Sequence, residues 1–593
     1  CLVGSEMCIR DSPEVIPTLK YEDFLKYHEE YYHPSNSYIY IYGDMDVNER
    51  LEYLDREYLS DFDVSDVDIH ANIERQAAFD KPVYETKPYA ITEDESLEDN
   101  TYLSYNAVIG TSVDAKLYLA FQILDYALVM TPGAPVKQAL LDAGISTDVY
   151  SSYETSLYQP VYSIVAKNSN SKEQGRFVSV INDTLEKLVK DGINERTIEA
   201  GINYYEFKYR EADYGPYPKG LMYYLTMMDS WLYDETKPFI HIEAGDTFDE
   251  LKKDARNGYF EKLIKEYLLD NNHKSIISLV PEYGLEKEKE QKEADKLAEY
   301  KSTLTNDELE ELVKKTKELK EYQDTPSSQE DLEKIPMLEL SDIKREPAKD
   351  YNDVKSVDGI KIVHHNIFTN KIAYINMSFD TKCVPDELIP YMGLLGSTLS
   401  LMDTKNYTYP ELTNEININC GGLATGTALY SDKVDFSKNT IVYEVKSKAL
   451  YEKVPFVLGM MEEIMYNTRF DDYKRLKEII ARIKSRLEAS LMGQGHSIAM
   501  LECCAQFSES AYYSDILRGY KYYEFIKKLD EEFEQNKTQI VDKLNKLVGY
   551  IFNKDNVIVS LTADDEGYDC FVKALSAKSC NIKDEHYNTA VRS

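Results

Sequence analysis

The residues of this 593-residue chain best suited to ligate a metal or act as base or nucleophile are nine histidines and eight cysteines. His28-Glu-Glu-Tyr-Tyr-His33 has the look of a metal motif. Five residues turn a helix by about 500°, however, which leaves the two rings roughly 140° apart and unable to share an ion on one face. His28 is therefore expected to be half-buried and His33 to be a turn residue. His364 and His365 are adjacent in a strand and must point to opposite faces. His496, in Gly493-Gln-Gly-His-Ser, has no ligating neighbours, which leaves a backbone or a substrate contact. The cysteines stand at 1, 8, 383, 420, 503, 504, 570 and 580 without a Cys-x-x-Cys pair. That spacing suits neither a zinc ribbon nor a disulfide framework, and it points to a reducing, cytoplasmic compartment.

Other chemistries lack their motifs. There is no phosphate-binding P-loop, no Gly-x-Gly-x-x-Gly and no Gly-x-Ser-x-Gly nucleophile elbow. Tyr204-Tyr205 and Tyr223-Tyr224 fall on helices and read as core positions, not as a ligand box. Pro132-Gly-Ala-Pro and Cys420-Gly-Gly precede strands and read as turns, a contact with a substrate strand being the alternative. The expectation is that this chain holds no catalytic, metal-binding or cofactor-binding residue of its own.

Composition bounds the partners. The formal net charge is −37, which argues against nucleic acid, because phosphate binding needs a basic face. An acidic surface turned to solvent and an acidic cavity that draws in basic peptides both fit that charge. No run of about 18 apolar residues occurs, so no membrane span is expected. The length suggests about three or four domains. Fifty tyrosines against one tryptophan are a bias that marks no site.

The elements that would position any site repeat along the chain. Lys20 to Tyr32 has helical spacing, His33-Pro-Ser-Asn stops the helix, and Ser37 to Tyr42 alternates as a strand. Similar closing strands are expected at Ser275–Val280 and Val557–Leu561. Ahead of the second of these closures come a strand at Tyr102–Ile109, an apolar helix at Val113–Met130 and a short helix to Leu141. Two strands at Thr147–Tyr153 and Val161–Ala166 and a series of helices follow. The same order recurs from Ile372: a strand to Phe379, helices Glu387–Met402 and Pro410–Asn417, strands Leu423–Tyr430 and Thr440–Lys446, then helices. A hairpin of Ile360–His364 with the strand after Asn370 should open this last unit. The fold class expected is α+β, with repeated domains of helices packed on an antiparallel sheet. Glu286 to Asp324 reads as a charged helical hairpin joining two of them, with a Thr305/Glu308 capping box and a narrow stripe of Leu309, Leu312, Thr316 and Leu319.

This order resembles that of pitrilysin–insulysin-type zinc metallopeptidases, and the wording resembles their presequence protease (falcilysin-like) branch. The matching stretches are FLKYHEEYYHPSNSYIYIYGDMD, LVMTPGAPVKQALLDAG and RLKEIIARIKSRLEASLMGQGHSIAM, within a resemblance that runs from Pro13 to Lys578. It implies four domains enclosing a peptide-sized chamber, with zinc held in the first by an inverted His-x-x-Glu-His motif and a downstream glutamate. An arginine and a tyrosine of the fourth domain would steady the substrate. No His-x-x-Glu-His occurs in this chain. At the matching helix of the last unit, Tyr391, Leu394 and Leu395 stand where histidine, glutamate and histidine would be, and Tyr118 to Leu124 is equally apolar in the unit before.

The layout that follows has 1–12, CLVGSEMCIRDS, as a non-native segment resembling translated adapter sequence from environmental DNA, and 13–65 as the remnant of the first, catalytic domain. Next come a linker at 66–98, a second, non-catalytic domain at 99–284 and the hairpin linker at 285–345. A third, non-catalytic domain occupies 346–585, before a truncated end at 586–593. The expected function is that of an internal piece of a zinc metalloendopeptidase that degrades unstructured peptides. Zinc would belong to the full-length protein and not to this piece. The missing first and fourth domains would be its partners, and it should be inactive alone. The alternative is a non-catalytic peptide-binding or scaffold subunit that accompanies an active metallopeptidase.

Overall fold

A computed structural model describes residues 18–64, 73–335, 337–346, 351–435 and 437–578. The chain ends, read as 1–12 and 586–593, lie outside these residues.

The first described helix, α1 (Tyr21–Tyr31), is followed by a 3₁₀ turn at Pro34–Asn36 and by α2 (Val47–Glu57), whose N-terminus is capped by Asp46 accepting from the amides of Asn48 and Glu49. Neither helix has a buried residue. Between them, Ser37–Tyr42 is not the expected strand: it joins no ladder among the described residues. A strand exists only where a neighbour accepts and donates its backbone hydrogen bonds, and alternation alone supplies none.

Two sheets of like topology form the body. Strands β1 (Val83–Ile91), β2 (Thr101–Val108), β3 (Asp148–Glu154), β4 (Val161–Ser169) and β5 (Lys274–Tyr283) make a five-stranded sheet in the order β1-β5-β2-β4-β3. Strand β2 turns Thr101, Leu103, Tyr105 and Ala107 inward at period two. The segment expected as a linker thus contributes β1, which pairs parallel to β5 in the register Val83↔Ser275. The helices on this sheet are α3 (Ala115–Asp125), which runs into a π turn at Tyr126–Met130, α4 (Pro135–Asp142), α5 (Gln174–Asp191) and α6 (Glu195–Glu211). Then follow α7 (Lys219–Trp231), α8 (Gly245–Asp254) and α9 (Tyr259–Leu263). Ala115–Asp142 is apolar and long enough to cross a membrane by composition, yet 72% of its most apolar window is buried, and it serves as core under β2 and β4. Asn194 caps α6 through the amides of Arg196 and Thr197.

The hairpin α10 (Leu285–Thr303) and α11 (Asn306–Asp324) follows, with the Thr305/Glu308 capping box formed and no buried residue in either helix; a short α12 (Gln329–Glu333) comes after it. Leu312 and Leu319 on the narrow stripe are about half exposed, at 49% and 54%, so the stripe is not covered by any of the described residues.

The second sheet has six strands, β6 (Asp353–Val357), β7 (Ile360–Asn366), β8 (Ile372–Asp380), β9 (Leu423–Ser431), β10 (Asn439–Leu450) and β11 (Val557–Ala563), in the order β6-β7-β11-β8-β10-β9. The expected β7–β8 hairpin does not form: β11 lies between them, parallel to β7 and antiparallel to β8. In both sheets the closing strand takes an inner slot, where both its backbone edges are hydrogen-bonded and its inward residues, here Val557, Val559, Leu561 and Ala563, are buried. Each otherwise antiparallel sheet therefore holds one parallel pair. The helices are α13 (Ile389–Thr398), α14 (Tyr409–Asn419), α15 (Val454–Tyr466) and α16 (Tyr473–Gly493). After them come α17 (Gly495–Cys504), α18 (Glu509–Arg518), α19 (Tyr520–Glu531), α20 (Phe533–Ile551) and α21 (Asp565–Lys578). Helix α13 stops short of the expected Met402, because Ser400 takes a left-handed φ of 68°.

Candidate functional site

The seam between the two sheet units is where side chains of both meet. Helix α6 lies along α14, and Asn414 Nδ2 donates to Thr197 Oγ1 at 3.0 Å while Asn417 Nδ2 donates to the Tyr126 hydroxyl at 2.6 Å. Arg196 pairs with Glu415, and Lys474 with Asp142 at 2.7 Å. At the end of α6, Glu211 reaches the second sheet and pairs with Lys448 of β10 at 2.6 Å. The turn at Cys420–Gly422 completes the seam. Any side chain at Gly421 would collide with the Phe207 ring of α6, and Gly422 holds φ at 113°, a conformation open to glycine. Replacing Gly421 by valine is expected to destabilise the chain by about 1–3 kcal/mol through overpacking. Thermal unfolding checks this: if adding Phe207→Ala relieves none of the loss, the Phe207 contact is not its cause.

Next to this turn, the face of the second sheet forms a groove of about 520 Å³ lined by Tyr374, Asn376, Lys446, Lys448, Ser560 and Thr562 among others. Its charges are internally matched. Glu444, only 5% exposed, accepts from Asn376 Nδ2 at 2.8 Å and the Tyr430 hydroxyl at 2.9 Å, and pairs with Lys446 at 2.6 Å. Burial pushes its carboxyl up, but Lys446, Asn376 and Tyr430 outweigh that and hold it below the usual range. Burial, together with the Glu211 charge, raises the Tyr374 hydroxyl. The groove thus offers hydroxyl, amide and ammonium groups able to hydrogen-bond an extended chain. None of these residues forms a nucleophile–base pair.

The histidines fall as follows. His28 is exposed, not half-buried, and stacks on Tyr32 at 4.7 Å; none of the described residues covers the outer face of α1 there. His33 lies beyond the helix end and its Nδ1 accepts from the Ser35 amide at 3.2 Å, as a turn residue should. His364 is fully buried and bonded to Ala563 O at 3.0 Å and Lys355 Nζ at 3.1 Å, while His365, on the other face, meets Ser560 Oγ and Tyr351 O at 3.1 Å each. His496 is exposed in the first turn of α17. Among the described residues, no three His, Cys, Asp or Glu side chains gather into a metal-ligating group.

The residues at the zinc-motif positions do not fit zinc. Leu394 and Leu395 are fully buried core, as is Leu124. The Tyr391 hydroxyl accepts from Lys543 Nζ at 3.1 Å, and its ring meets Phe525 edge-on. Gly133, in the Pro132–Pro135 turn, has φ 73° and abuts Tyr409 and Pro410 of α14, so this turn is a seam contact. Tyr204 packs on Tyr126, as a core position would. Tyr223 and Tyr224 are half-buried and instead receive Tyr42 and Tyr40, while Tyr38 meets Trp231 at 4.5 Å. It is these rings that hold Ser37–Tyr42 against α7.

One polar cluster was not legible beforehand. Tyr118 donates to Asp229 Oδ2 at 2.7 Å and Thr155 to the same oxygen at 3.1 Å, while His241 stacks on Tyr118 at 3.9 Å and donates from Nε2 to Ser112 O at 2.9 Å. Burial raises the Asp229 carboxyl and lowers His241 to about 4. Its members lie more than 70 residues apart in the chain, at separations that carry no local pattern.

Two family models match. One, "Peptidase M16 inactive domain", covers residues 18–205, and the other, the region associated with subfamily C of the M16 peptidases, covers residues 279–529. Protein HypA of Clostridium perfringens is 39% identical over 581 residues, 97% of this chain and 59% of that protein. Presequence protease 1, chloroplastic/mitochondrial, of Arabidopsis thaliana is 30% identical over 559 residues, 93% of this chain and 51% of that protein. The crystal structure of pitrilysin aligns at 12% identity with a TM-score of 0.43, covering 94% of this chain and 54% of that one. The chain thus spans between about half and three-fifths of the curated relatives named here. It belongs to the M16 peptidases, the zinc-dependent pitrilysin–insulysin-type family, in the presequence protease branch.

Proposed function

We propose that this chain is the non-catalytic middle of a zinc metalloendopeptidase that degrades unstructured peptides in an enclosed chamber. The observation that carries this reading is the pair of like-built sheet units in which the helices at the zinc-motif positions are buried hydrocarbon and tyrosine, at Leu394, Leu395, Tyr391 and Leu124. Such helices can wall a chamber and cannot hold the ion, so zinc belongs to another domain of the enzyme and no hydrolytic step is assigned to this chain. The polar groove on the second sheet, with Lys446, Lys448, Asn376 and Ser560, supplies groups that would hold a peptide backbone. The free thiols at Cys383, Cys420, Cys503, Cys504 and Cys570 favour a reducing compartment such as the cytoplasm.

The test is hydrolysis of an unstructured fluorogenic peptide by this chain, with zinc added and with zinc chelated. No turnover is expected in either condition, and zinc-dependent turnover would sink the proposal. The same peptide with its scissile fluorophore pair replaced by a single dye reports binding by anisotropy. Binding lost on Lys448→Ala supports the groove as a peptide contact in the enzyme or in an accompanying subunit; binding that ignores that substitution refutes it.

A further inference from the structure

A basic cluster lies at the seam, apart from the groove. Arg475, Arg482 and Arg486 of α16 are spaced at i, i+7 and i+11, which puts all three within about 40° on one helix face. Lys137 of α4, from the other sheet unit, is close enough to interact with all three, and β3 packs on α16 beside them. Their partners are few. Lys137 Nζ donates to Val149 O at 2.6 Å. Arg475 donates from Nε to Leu401 O at 3.1 Å and from Nη1 to Glu478 at 3.0 Å, and its guanidinium lies 4.1 Å from the Tyr409 ring centroid. Its side chain is only 9% exposed, yet its Nη2 is buried without a hydrogen-bond partner among the described residues. Arg482 and Arg486 make no ion pair with any described residue, and Asp148 and Glu478 are the carboxylates acting on Arg482.

Four cations facing two carboxylates is an arrangement the chain as a whole does not favour, since its acidic residues outnumber its basic ones by 105 to 68. A guanidinium nitrogen left unbonded in the interior costs stability, and neighbouring like charges add to that cost. Burial, with the arginines nearby, lowers Lys137 to about 8. Burial, Arg486 and Arg475 lower Arg482 to about 10. An anion with two or more oxygens relieves both costs, because guanidinium forks match phosphate and carboxylate geometry.

We propose that Lys137, Arg475, Arg482 and Arg486 form an oxyanion site, for a phosphate or carboxylate group, that clamps the two sheet units together across the seam. Its ligand is either a free phosphate-type anion or the acidic side chains of a peptide. Because the site draws on both units, its occupant stabilises the folded chain by mass action.

Thermal unfolding and titration calorimetry on the intact chain test this, with sodium phosphate, sodium pyrophosphate and triglutamate as probes, each against sodium chloride at matched ionic strength. A saturable rise in Tm with a phosphate probe identifies a free anion as the ligand class, and a rise with triglutamate alone identifies peptide carboxylates. Either response should weaken about tenfold or more in Arg482→Gln and in the exposed-position variant Arg486→Gln, the latter guarding against a misfolded Arg482 variant. No response beyond chloride with any probe, or a response unchanged in both variants, overturns the proposal.

Discussion

Phe552→Ala should cost about 3–5 kcal/mol of stability, the range for deleting a buried phenylalanine ring. Phe552 is fully buried where α20 turns toward β11, and it touches three rings edge-on: Phe379 at 5.1 Å, Tyr443 at 5.5 Å and Tyr466 at 6.3 Å. These come from β8, β10 and α15, so the one ring ties the sheet to its helical layer. Edge-to-face pairs add to the area term, and the surrounding strands, hydrogen-bonded on both sides, cannot collapse into the hole. Ile558, on the same stretch but 43% exposed, is the control, and its alanine variant should change stability far less. Urea unfolding followed by circular dichroism measures both. A loss below about 1 kcal/mol for Phe552→Ala would mean that the ring is not the keystone of this layer.

The second large effect is a pH dependence from His241. Burial holds its folded pKa near 4, against an ordinary value of 6.5. The unfolded chain therefore takes up a proton between these values while the native ring stays neutral, stacked on Tyr118. Stability from this group is complete above pH 6.5 and is lost as the pH falls towards 4, by about 3 kcal/mol at most. Gln at 241 keeps a donor for the Ser112 carbonyl and cannot titrate. The difference in unfolding free energy between the parent and His241→Gln should therefore shrink from pH 7 to pH 4, while contributions from carboxylates such as Asp229 cancel between the two. A difference that stays flat with pH would show that His241 is protonated or solvated in the folded state.

The two units invite comparison with each other. In each, a helix that follows the first long inner strand carries a tyrosine in its early turns, Tyr118 in α3 and Tyr391 in α13. Each hydroxyl is answered by a charged residue from a distant helix, Asp229 for Tyr118 and Lys543 for Tyr391. The same position thus carries a structural hydrogen bond of opposite polarity in the two units. That fits walls that need rigidity and a phenol that must not be buried unbonded.

What could be determined from the sequence alone was local. Helical and strand periods, the Thr305/Glu308 box, the turns at Pro132–Pro135 and Cys420–Gly422, the lack of a His-x-x-Glu-His motif and the two-unit order all reside in neighbouring residues. Local backbone chemistry decides them whatever the rest of the chain does. Strand order was not of this kind. The alternation of β5 and β11 says which face is apolar, but not which edges will be bonded, so their inner slots and the unexpected β1 came only from the assembled sheets. Ser37–Tyr42 shows the converse: a sound strand pattern that finds aromatic rings on α7 and no backbone partner among the described residues. The Tyr118–Asp229–His241 cluster and the arginine face over Lys137 likewise join residues from separate helices. Only the tertiary structure could decide these, because burial and charge proximity are properties of packing across the seam and the cores, and periodicity along the chain carries no record of them.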